Sequence, residues 1–223
     1  MNPFTVAPAR RARHEREIPP LENGDRLHSA EFLRRYEAMP EVRKAQLIEG
    51  IVHMPSPVRA DLHAEADGLL HGWLFHYALQ SPDVKFYPNT TLVLDADNTL
   101  QPDAILCAPP RRGGRVWLND KGYLCGAPEL VCEVAASSAA VDLHDKFRAY
   151  RRDGIAEYLV WIVREKRIRW FALEEQEYVE MTAASGLLKS RSFPGLVLDT
   201  KAAARMDRAK IIATLEKHLG ASR

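Results

Sequence analysis

Two acidic residues stand within apolar strand candidates in the middle of the chain, and a lysine follows them. Asp103 opens the run QPDAILC, Glu133 lies inside the run PELVCEVA, and Lys146 follows on a predicted helix. Strand side chains alternate faces, so each acid shares a face with apolar neighbours and must be paired, hydrogen-bonded or bound to a metal there. Two carboxylates and an ammonium suit a hard metal ion such as Mg²⁺ and a phosphate group.

The bulk composition is that of an ordinary globular protein. The chain has 223 residues, 46% of them hydrophobic and 27% charged, which is enough to bury a core and excludes global disorder. The formal net charge is +1, so a nucleic-acid surface would have to come from local clustering. The three cysteines form no C-x-x-C pair, which favours buried thiols in a reducing cytoplasm. No apolar run approaches the roughly 18 residues of a membrane span, so we expect no membrane contact.

The remaining segments predict a framework of α/β class. Residues 1–25 mix proline and arginine without periodicity and predict a flexible N-terminal arm, and residues 26–223 are expected to form a single domain. The segment EYLVWIV is almost continuously apolar and predicts a central strand buried on both faces, while RIRWFAL alternates and predicts a half-exposed neighbour. LIEGIVH predicts a strand pair with a bend at Gly50. Helices are predicted over residues 30–39, 58–77, 141–153 and 202–219.

An ordered series of short motifs runs through most of the chain, from about Ala30 to Asp199. The motifs are QLIEG from Gln46 to Gly50, Ser56-Pro57, His63, QPD ending at Asp103, PELVCEVAASS from Pro128, Asp142, Lys146, Tyr150, GIAEYLVWIV from Gly154, and FPGLVLD from Phe193. The series resembles the PD-(D/E)XK nuclease superfamily and, more closely, its Uma-two family of bacterial restriction-endonuclease-like proteins. The resemblance implies a restriction-endonuclease-like core with a mixed β-sheet flanked by helices.

The resemblance also implies a function and roles for particular residues. It implies a Mg²⁺-dependent endonuclease that hydrolyses DNA phosphodiester bonds, with Mn²⁺ able to substitute, acting as a homodimer. Asp103 and Glu133 would hold the metal, and Glu49 is a further candidate ligand. The superfamily's usual lysine position holds Ala135, and Lys146 matches the place used by the Uma-two family, where it would orient or activate the attacking water.

Three positions depart from the family's usual pattern. Gln46 stands where an acid is usual, although we still expect it, with His63, near the site. Gln101 replaces the arginine before the P-D pair, and Ala136-Ser137-Ser138 replaces SPS after the second acid. A non-catalytic nucleic-acid-binding or assembly module on the same fold is therefore the alternative function.

Several candidate residues have simpler interpretations. Asp103 could be a turn residue at a strand start, and Glu49 could be an exposed strand charge. Lys146 lies four residues after Asp142, and on a surface helix this spacing usually gives a solvated pair worth about 0.3–0.5 kcal/mol.

Two further groups could bind ligands or be ordinary surface. His63, Asp67 and His71 recur at helical spacing and could indicate a zinc hydrolase, but without an H-E-x-x-H pattern a polar helix face is favoured. A glycine-containing loop carries three basic residues that could grip DNA phosphates or simply be solvated. These residues are Arg111, Arg112 and Arg115.

Overall fold

The computed structural model describes residues 18–54, 63–136 and 139–221 and has the predicted α/β class. The helices are α1 (Ser29–Tyr36), α2 (Glu65–Gln80), α3 (Ala139–Leu143), α4 (Asp145–Arg152), α5 (Thr200–Ala204) and α6 (Arg208–Ala221). The first strands are β1 (Gln46–Ile48), β2 (Ile51–His53), β3 (Lys85–Pro88), β4 (Leu92–Val93), β5 (Thr99–Leu100), β6 (Ala104–Cys107) and β7 (Trp117–Leu118). The others are β8 (Leu124–Cys125), β9 (Leu130–Ala135), β10 (Glu157–Ile162), β11 (Arg167–Glu174), β12 (Glu177–Glu180), β13 (Leu187–Lys189) and β14 (Val197–Asp199).

The strands form two six-stranded mixed sheets and a small third sheet. The main sheet has the order β12-β11-β10-β9-β6-β3, and only its β9–β10 pair is parallel. The second sheet has the order β2-β1-β5-β4-β8-β7, with a parallel β4–β8 pair. Strands β13 and β14 pair with each other.

The central strand of the main sheet is the one that the apolar run predicted. Every residue of β10 is buried, because helices or strands cover both faces of the sheet there. Its antiparallel neighbour β11 is exposed at both ends but buried from Trp170 to Ala172. The alternation that predicted a half-exposed strand therefore fails in its middle, where Phe171 packs edge-to-face on Phe147 of α4.

The main sheet separates two apolar clusters. On one face, Leu106 and Cys132 pack in a cluster with α2 and α6. On the other face, Ile105 and Val131 pack in a second cluster with Tyr150 of α4 and with the second sheet. Period-two alternation places Asp103 and Glu133 on this second face, between the main sheet and α4.

Two predicted helices are each divided in two. The helix predicted over residues 141–153 is broken at His144, whose angles of φ −122° and ψ −70° are not helical. The helix predicted over residues 202–219 is broken at Met206, where φ is +55°. Helix α6 then begins after Asp207, whose side chain caps it by accepting a hydrogen bond from the N–H of Lys210 at 3.0 Å.

Residues 1–17 of the predicted N-terminal arm lie outside the described part, and its last residues lie against the domain. Leu21 is 4% exposed and packs in a third cluster with Phe32 of α1, and Arg26 bridges to Ile51 of β2. Ser56-Pro57 and the start of the helix predicted from residue 58 also lie outside the described residues. None of the described helices is both long and apolar enough to cross a membrane.

Candidate active site

The pairing of β6 with β9 places Asp103 opposite Glu133. Ala104 lies opposite Cys132 in this antiparallel ladder, and continuing the register by one residue sets Asp103 against Glu133. Directly opposed residues of antiparallel strands project from the same face. Both side chains are buried, with 3% and 2% of their residues' surface exposed. The two carboxylates therefore lie side by side, as the alternation of each strand predicts.

The Asp103 carboxylate is surrounded by groups that favour its charged form. Its Oδ2 accepts a hydrogen bond from the backbone N–H of Val134 at 2.8 Å, and its Oδ1 lies 3.0 Å from the Nζ of Lys44. The Nε2 of His63 lies 3.6 Å from Oδ2. Burial would raise the pKa of Asp103, but these neighbours outweigh burial and hold the pKa below its ordinary value. Asp103 is therefore a carboxylate at neutral pH.

The Glu133 carboxyl has the opposite shift. Its Oε1 accepts a hydrogen bond from the hydroxyl of Tyr150 at 2.9 Å and lies 2.9 Å from the Nζ of Lys146. Burial raises the pKa of Glu133 to about 7, the charge of Lys146 opposes this, and the negative charge of Asp103 adds to it. The site thus holds one firmly ionised acid and one that titrates near neutrality.

Lys146 is buried between two acids. Its side chain is 6% exposed, and its Nζ lies 2.9 Å from Glu133 and 3.0 Å from the Oδ1 of Asp142. The interpretation of Lys146 and Asp142 as a solvated pair is therefore wrong. Burial would lower the pKa of Lys146, but the charges of Glu133, Asp142 and Asp103 outweigh burial and raise it. Lys146 stays protonated, so it can donate hydrogen bonds and offset negative charge, but it cannot accept a proton.

A helix-ending motif holds Tyr150 in place. Helix α4 ends at Arg152, and Gly154 follows the cap residue with a φ of +75°, which favours glycine. The N–H of Ile155 donates to the carbonyl of Tyr150 at 3.0 Å. The N–H of Gly154 donates to the carbonyl of Arg151 at 3.1 Å, which completes a Schellman motif. Ile155 and Tyr150 also share the second apolar cluster. The predicted glycine cap thus fixes the residue whose hydroxyl orients Glu133.

The order and spacing of these residues match a known family. The Uma2 family, described as putative restriction endonucleases, has a model that matches residues 29–201. The chain belongs to the Uma2 family. This confirms the resemblance drawn from the motif series, and it places Asp103, Glu133 and Lys146 within the matched region.

A solved structure agrees with the Uma2 assignment at the level of the fold. The crystal structure of a putative nuclease belonging to DUF820 from Anabaena variabilis ATCC 29413 superimposes with a TM-score of 0.61. It covers 78% of this chain and 97% of its own, at 15% sequence identity, and confirms the restriction-endonuclease-like fold. The match to the type IIG restriction endonuclease BpuSI covers 72% of this chain and 18% of that protein at 12% identity, and its TM-score of 0.33 is too low to indicate a shared fold. No curated protein matches the chain.

The predicted histidine row of α2 lies against Asp103. The Nε2 of His71 lies 2.7 Å from the backbone carbonyl of Asp103, and because a carbonyl only accepts, this nitrogen must carry the proton. The same nitrogen lies 3.3 Å from the Oδ1 of Asp67. Across residues 18–54, 63–136 and 139–221, no three His, Cys, Asp or Glu side chains form a group that could hold a metal by themselves. Asp67 and His71 lie on a polar helix face, and His71 contacts the Asp103 backbone.

Glu49 and Gln46, at the two ends of the first Uma2 motif, have different surroundings. Glu49 and Gly50 form the β1–β2 turn with φ of +52° and +74°, as a two-residue hairpin turn requires. The exposed Glu49 carboxylate lies 2.8 Å from Arg152. Gln46 is buried, and its Oε1 accepts the N–H of Gln101 at 3.1 Å, which aligns the chain that leads into Asp103. The structure thus brings Gln46 near the site and gives Glu49 other partners.

The arginine-containing loop follows the end of β6 that lies farther from Asp103. A strand of this length spans roughly 13 Å at about 3.3 Å per residue. Arg111 pairs with Asp83, and Arg115 donates to the carbonyl of Gly154 at 2.5 Å. All three arginines are exposed, but among the described residues the Arg112 guanidinium makes no ion pair or hydrogen bond, so it is the loop arginine best placed to meet a ligand.

Lys44 is the site residue that sequence analysis missed. It contacts Asp103, whereas its neighbour Arg43 is exposed. One signal was present, because Lys44 and Gln46 are two residues apart and strand alternation sets them on the same side. Asp142 and Tyr150 belong to the motif series, but the sequence did not predict the charge network that they form with Glu133 and Lys146.

Proposed function

We propose that this protein is a Mg²⁺-dependent endonuclease that hydrolyses phosphodiester bonds in DNA, with Mn²⁺ able to replace Mg²⁺. Membership of the Uma2 family supports the nuclease class. The observation that carries the proposal is the buried pair of Asp103 and Glu133 on facing strand positions, with the Lys146 ammonium 2.9 Å from Glu133. By analogy with the superfamily we also propose a homodimer, which sedimentation of the purified protein tests.

The two acids fit a hard divalent cation. Mg²⁺ is usually bound by one or two carboxylates together with waters, and Asp103 and Glu133 supply two. The raised pKa of Glu133 reflects burial and the nearby charge of Asp103, and a cation between the two carboxylates would relieve that repulsion. When bound, Mg²⁺ would polarise a phosphoryl oxygen and acidify a water molecule.

The lysines and Tyr150 would serve the reaction without changing their own protonation. The ammonium of Lys146 would donate to a phosphate oxygen or to the attacking water, and Asp142 holds that ammonium in place at 3.0 Å. Lys44, whose side chain is 27% exposed, would add a second positive charge at the mouth of the site. Tyr150 would orient Glu133 through its hydroxyl at 2.9 Å.

Titration with Mn²⁺ tests the metal site directly. The wild-type protein should bind Mn²⁺, and Asp103→Asn or Glu133→Gln should weaken binding by more than the roughly 10–100-fold typical of residues that only support a ligand. Glu49→Gln is the matched control, because Glu49 pairs with Arg152, and it should bind nearly as the wild type does. Electron paramagnetic resonance of free Mn²⁺ measures all four affinities. Weakened binding in Glu49→Gln alone would move the site to the hairpin turn.

The exposed Arg112 is expected to contact a DNA phosphate. Arg112→Gln should weaken DNA binding and reduce the slope of log K against log salt by about 0.9, the value for one lost phosphate contact. Lys217→Gln on α6, which packs on the face of the main sheet opposite the two acids, serves as the control. Fluorescence anisotropy of labelled DNA over a series of salt concentrations measures both slopes. Equal slopes would make the loop a solvated connection.

One observation favours the alternative of a non-catalytic nucleic-acid-binding or assembly module. Each site carboxylate already has an ammonium partner, Lys44 for Asp103 and Lys146 for Glu133, so the pair can be neutralised without a metal. A module of this kind would bind DNA equally well in EDTA and would show no saturable Mn²⁺ site. The Mn²⁺ titration therefore separates the two functions.

A further inference from the structure

His53 ends β2 on the side of the hairpin that faces the candidate active site. It lies opposite Gln46 in the β1–β2 ladder, so the two side chains project from the same face. Ile48 lies on that face too, two residues after Gln46, and it packs in the second apolar cluster together with α4. Val52 points the other way, into the cluster around α1.

The surroundings of His53 place it at the edge of the charge network. Its electrostatic neighbours are Asp145 and Lys146 in the first turn of α4, whereas Arg152 at the end of that helix pairs with Glu49 in the hairpin turn. On the hairpin itself the facing side chain, Gln46, is neutral. His53 is half-buried, and within the described part of the chain its ring makes no hydrogen bond or ion pair. Its ring nitrogens are therefore available to a water or a substrate.

Apart from Glu133, whose carboxylate the metal would occupy, the groups closest to the acids have pKa values that disfavour taking up a proton. Lys146 is protonated, Asp103 has a lowered pKa, and His63 has a raised pKa because of its contact with Asp103. The pKa of His53 is lowered by burial, with a smaller contribution from Lys146 that Asp145 opposes, so its imidazole is neutral at pH 7. A neutral imidazole within electrostatic range of the Lys146 ammonium has the character of a general base.

We propose that His53 is the catalytic proton acceptor of this site, an inference that rests on the proposed nuclease function. An imidazole nitrogen of His53 takes a proton from the attacking water as the water oxygen bonds to phosphorus. The bond from phosphorus to the leaving sugar oxygen breaks, and that oxygen is protonated by solvent. The imidazolium then returns its proton to solvent, so the sum is addition of one water across one phosphodiester bond.

Single-turnover cleavage of DNA by His53→Gln tests the proposal. At saturating Mn²⁺ the rate should fall by roughly 10²–10⁴-fold, the usual contribution of a general base, while Mn²⁺ affinity stays close to that of the wild type. The wild-type rate should also decline in acid as His53 is protonated, and the variant should lack this decline. Saturating metal is needed because it would keep Glu133 ionised. Glu133 otherwise titrates near pH 7 and would add its own pH dependence to the rate. His28→Gln is the control, because His28 is exposed, precedes α1 and pairs with Asp97 rather than with a site residue.

The outcomes separate this proposal from the proposed function. A large loss of rate with intact Mn²⁺ binding and a flattened acid limb supports His53 as the base. If the wild type cleaves DNA and His53→Gln matches His28→Gln in rate and pH profile, the role of His53 is overturned while the nuclease function stands. If the wild type neither cleaves DNA nor binds Mn²⁺, both are overturned.

Discussion

Replacing Glu133 with glutamine is expected to abolish metal-dependent DNA cleavage. Glutamine keeps the size of the side chain and can still accept the Tyr150 hydrogen bond, but it removes the negative charge that would hold the cation. The rate should fall by roughly 10²–10³-fold or more, as on removal of one strong electrostatic group from an active site. The cleavage rate of a labelled DNA in Mg²⁺, compared between the wild type and Glu133→Gln, measures the loss. Wild-type activity in this variant would remove Glu133 from the site.

The same substitution should change how folding stability depends on pH in EDTA. The pKa of Glu133 is about 7 in the fold and ordinarily 4.5, so the folded wild type binds the extra proton between these values. That contribution to stability is fully present below pH 4.5 and is lost as pH rises through 7, by up to about 3 kcal/mol. Glutamine does not titrate, so the free energy of unfolding of Glu133→Gln should lack this decline. Denaturant unfolding at a series of pH values, with added Mg²⁺ as a second condition, measures the difference.

Replacing Lys146 with methionine should affect both stability and rate. Methionine fills similar space but leaves Glu133 and Asp142 buried without their ammonium, and breaking a buried pair in this way costs about 3–5 kcal/mol. The loss should be smaller in acid, where Glu133 is protonated. Cleavage should slow by at least about 10²-fold because the phosphate loses a charged hydrogen-bond donor.

The matched control for Lys146 is Lys121→Met. Lys121 lies 2.7 Å from Glu37, but its side chain is 60% exposed, and an exposed pair contributes at most about 1 kcal/mol. Chemical denaturation and single-turnover cleavage of both variants give the comparison. Equal losses of stability at the two positions would contradict the buried network around Lys146.

Local patterns predicted the elements and faces of the site better than its contacts. Strand alternation predicted that Asp103 shares a face with Ile105 and that Glu133 shares a face with Val131. Both pairs lie on the face of the second cluster, as predicted. The alignment of the two acids depends on the register of β6 against β9, which no local pattern contains. The family resemblance, rather than periodicity, supplied that information.

The features that were mispredicted depend on tertiary contacts or on single backbone angles. The Asp142–Lys146 spacing is the same for an exposed pair and a buried pair, and only the packing of α4 under the second sheet distinguishes them. The helix breaks at His144 and Met206 carry no glycine or proline that would mark them. Lys44 joins Asp103 from 59 residues away, a contact that is invisible to sequence periodicity.

Nicking of supercoiled plasmid by the wild type and by Asp103→Asn tests the central claim most directly. Asparagine preserves the shape of Asp103 and removes the charge that Lys44 and the metal would share. The account predicts conversion to nicked or linear DNA by the wild type in Mg²⁺ or Mn²⁺, none in EDTA, and none by Asp103→Asn. Equal cutting by both proteins, or no cutting by the wild type over a range of DNA substrates, would contradict a nuclease centred on Asp103 and Glu133.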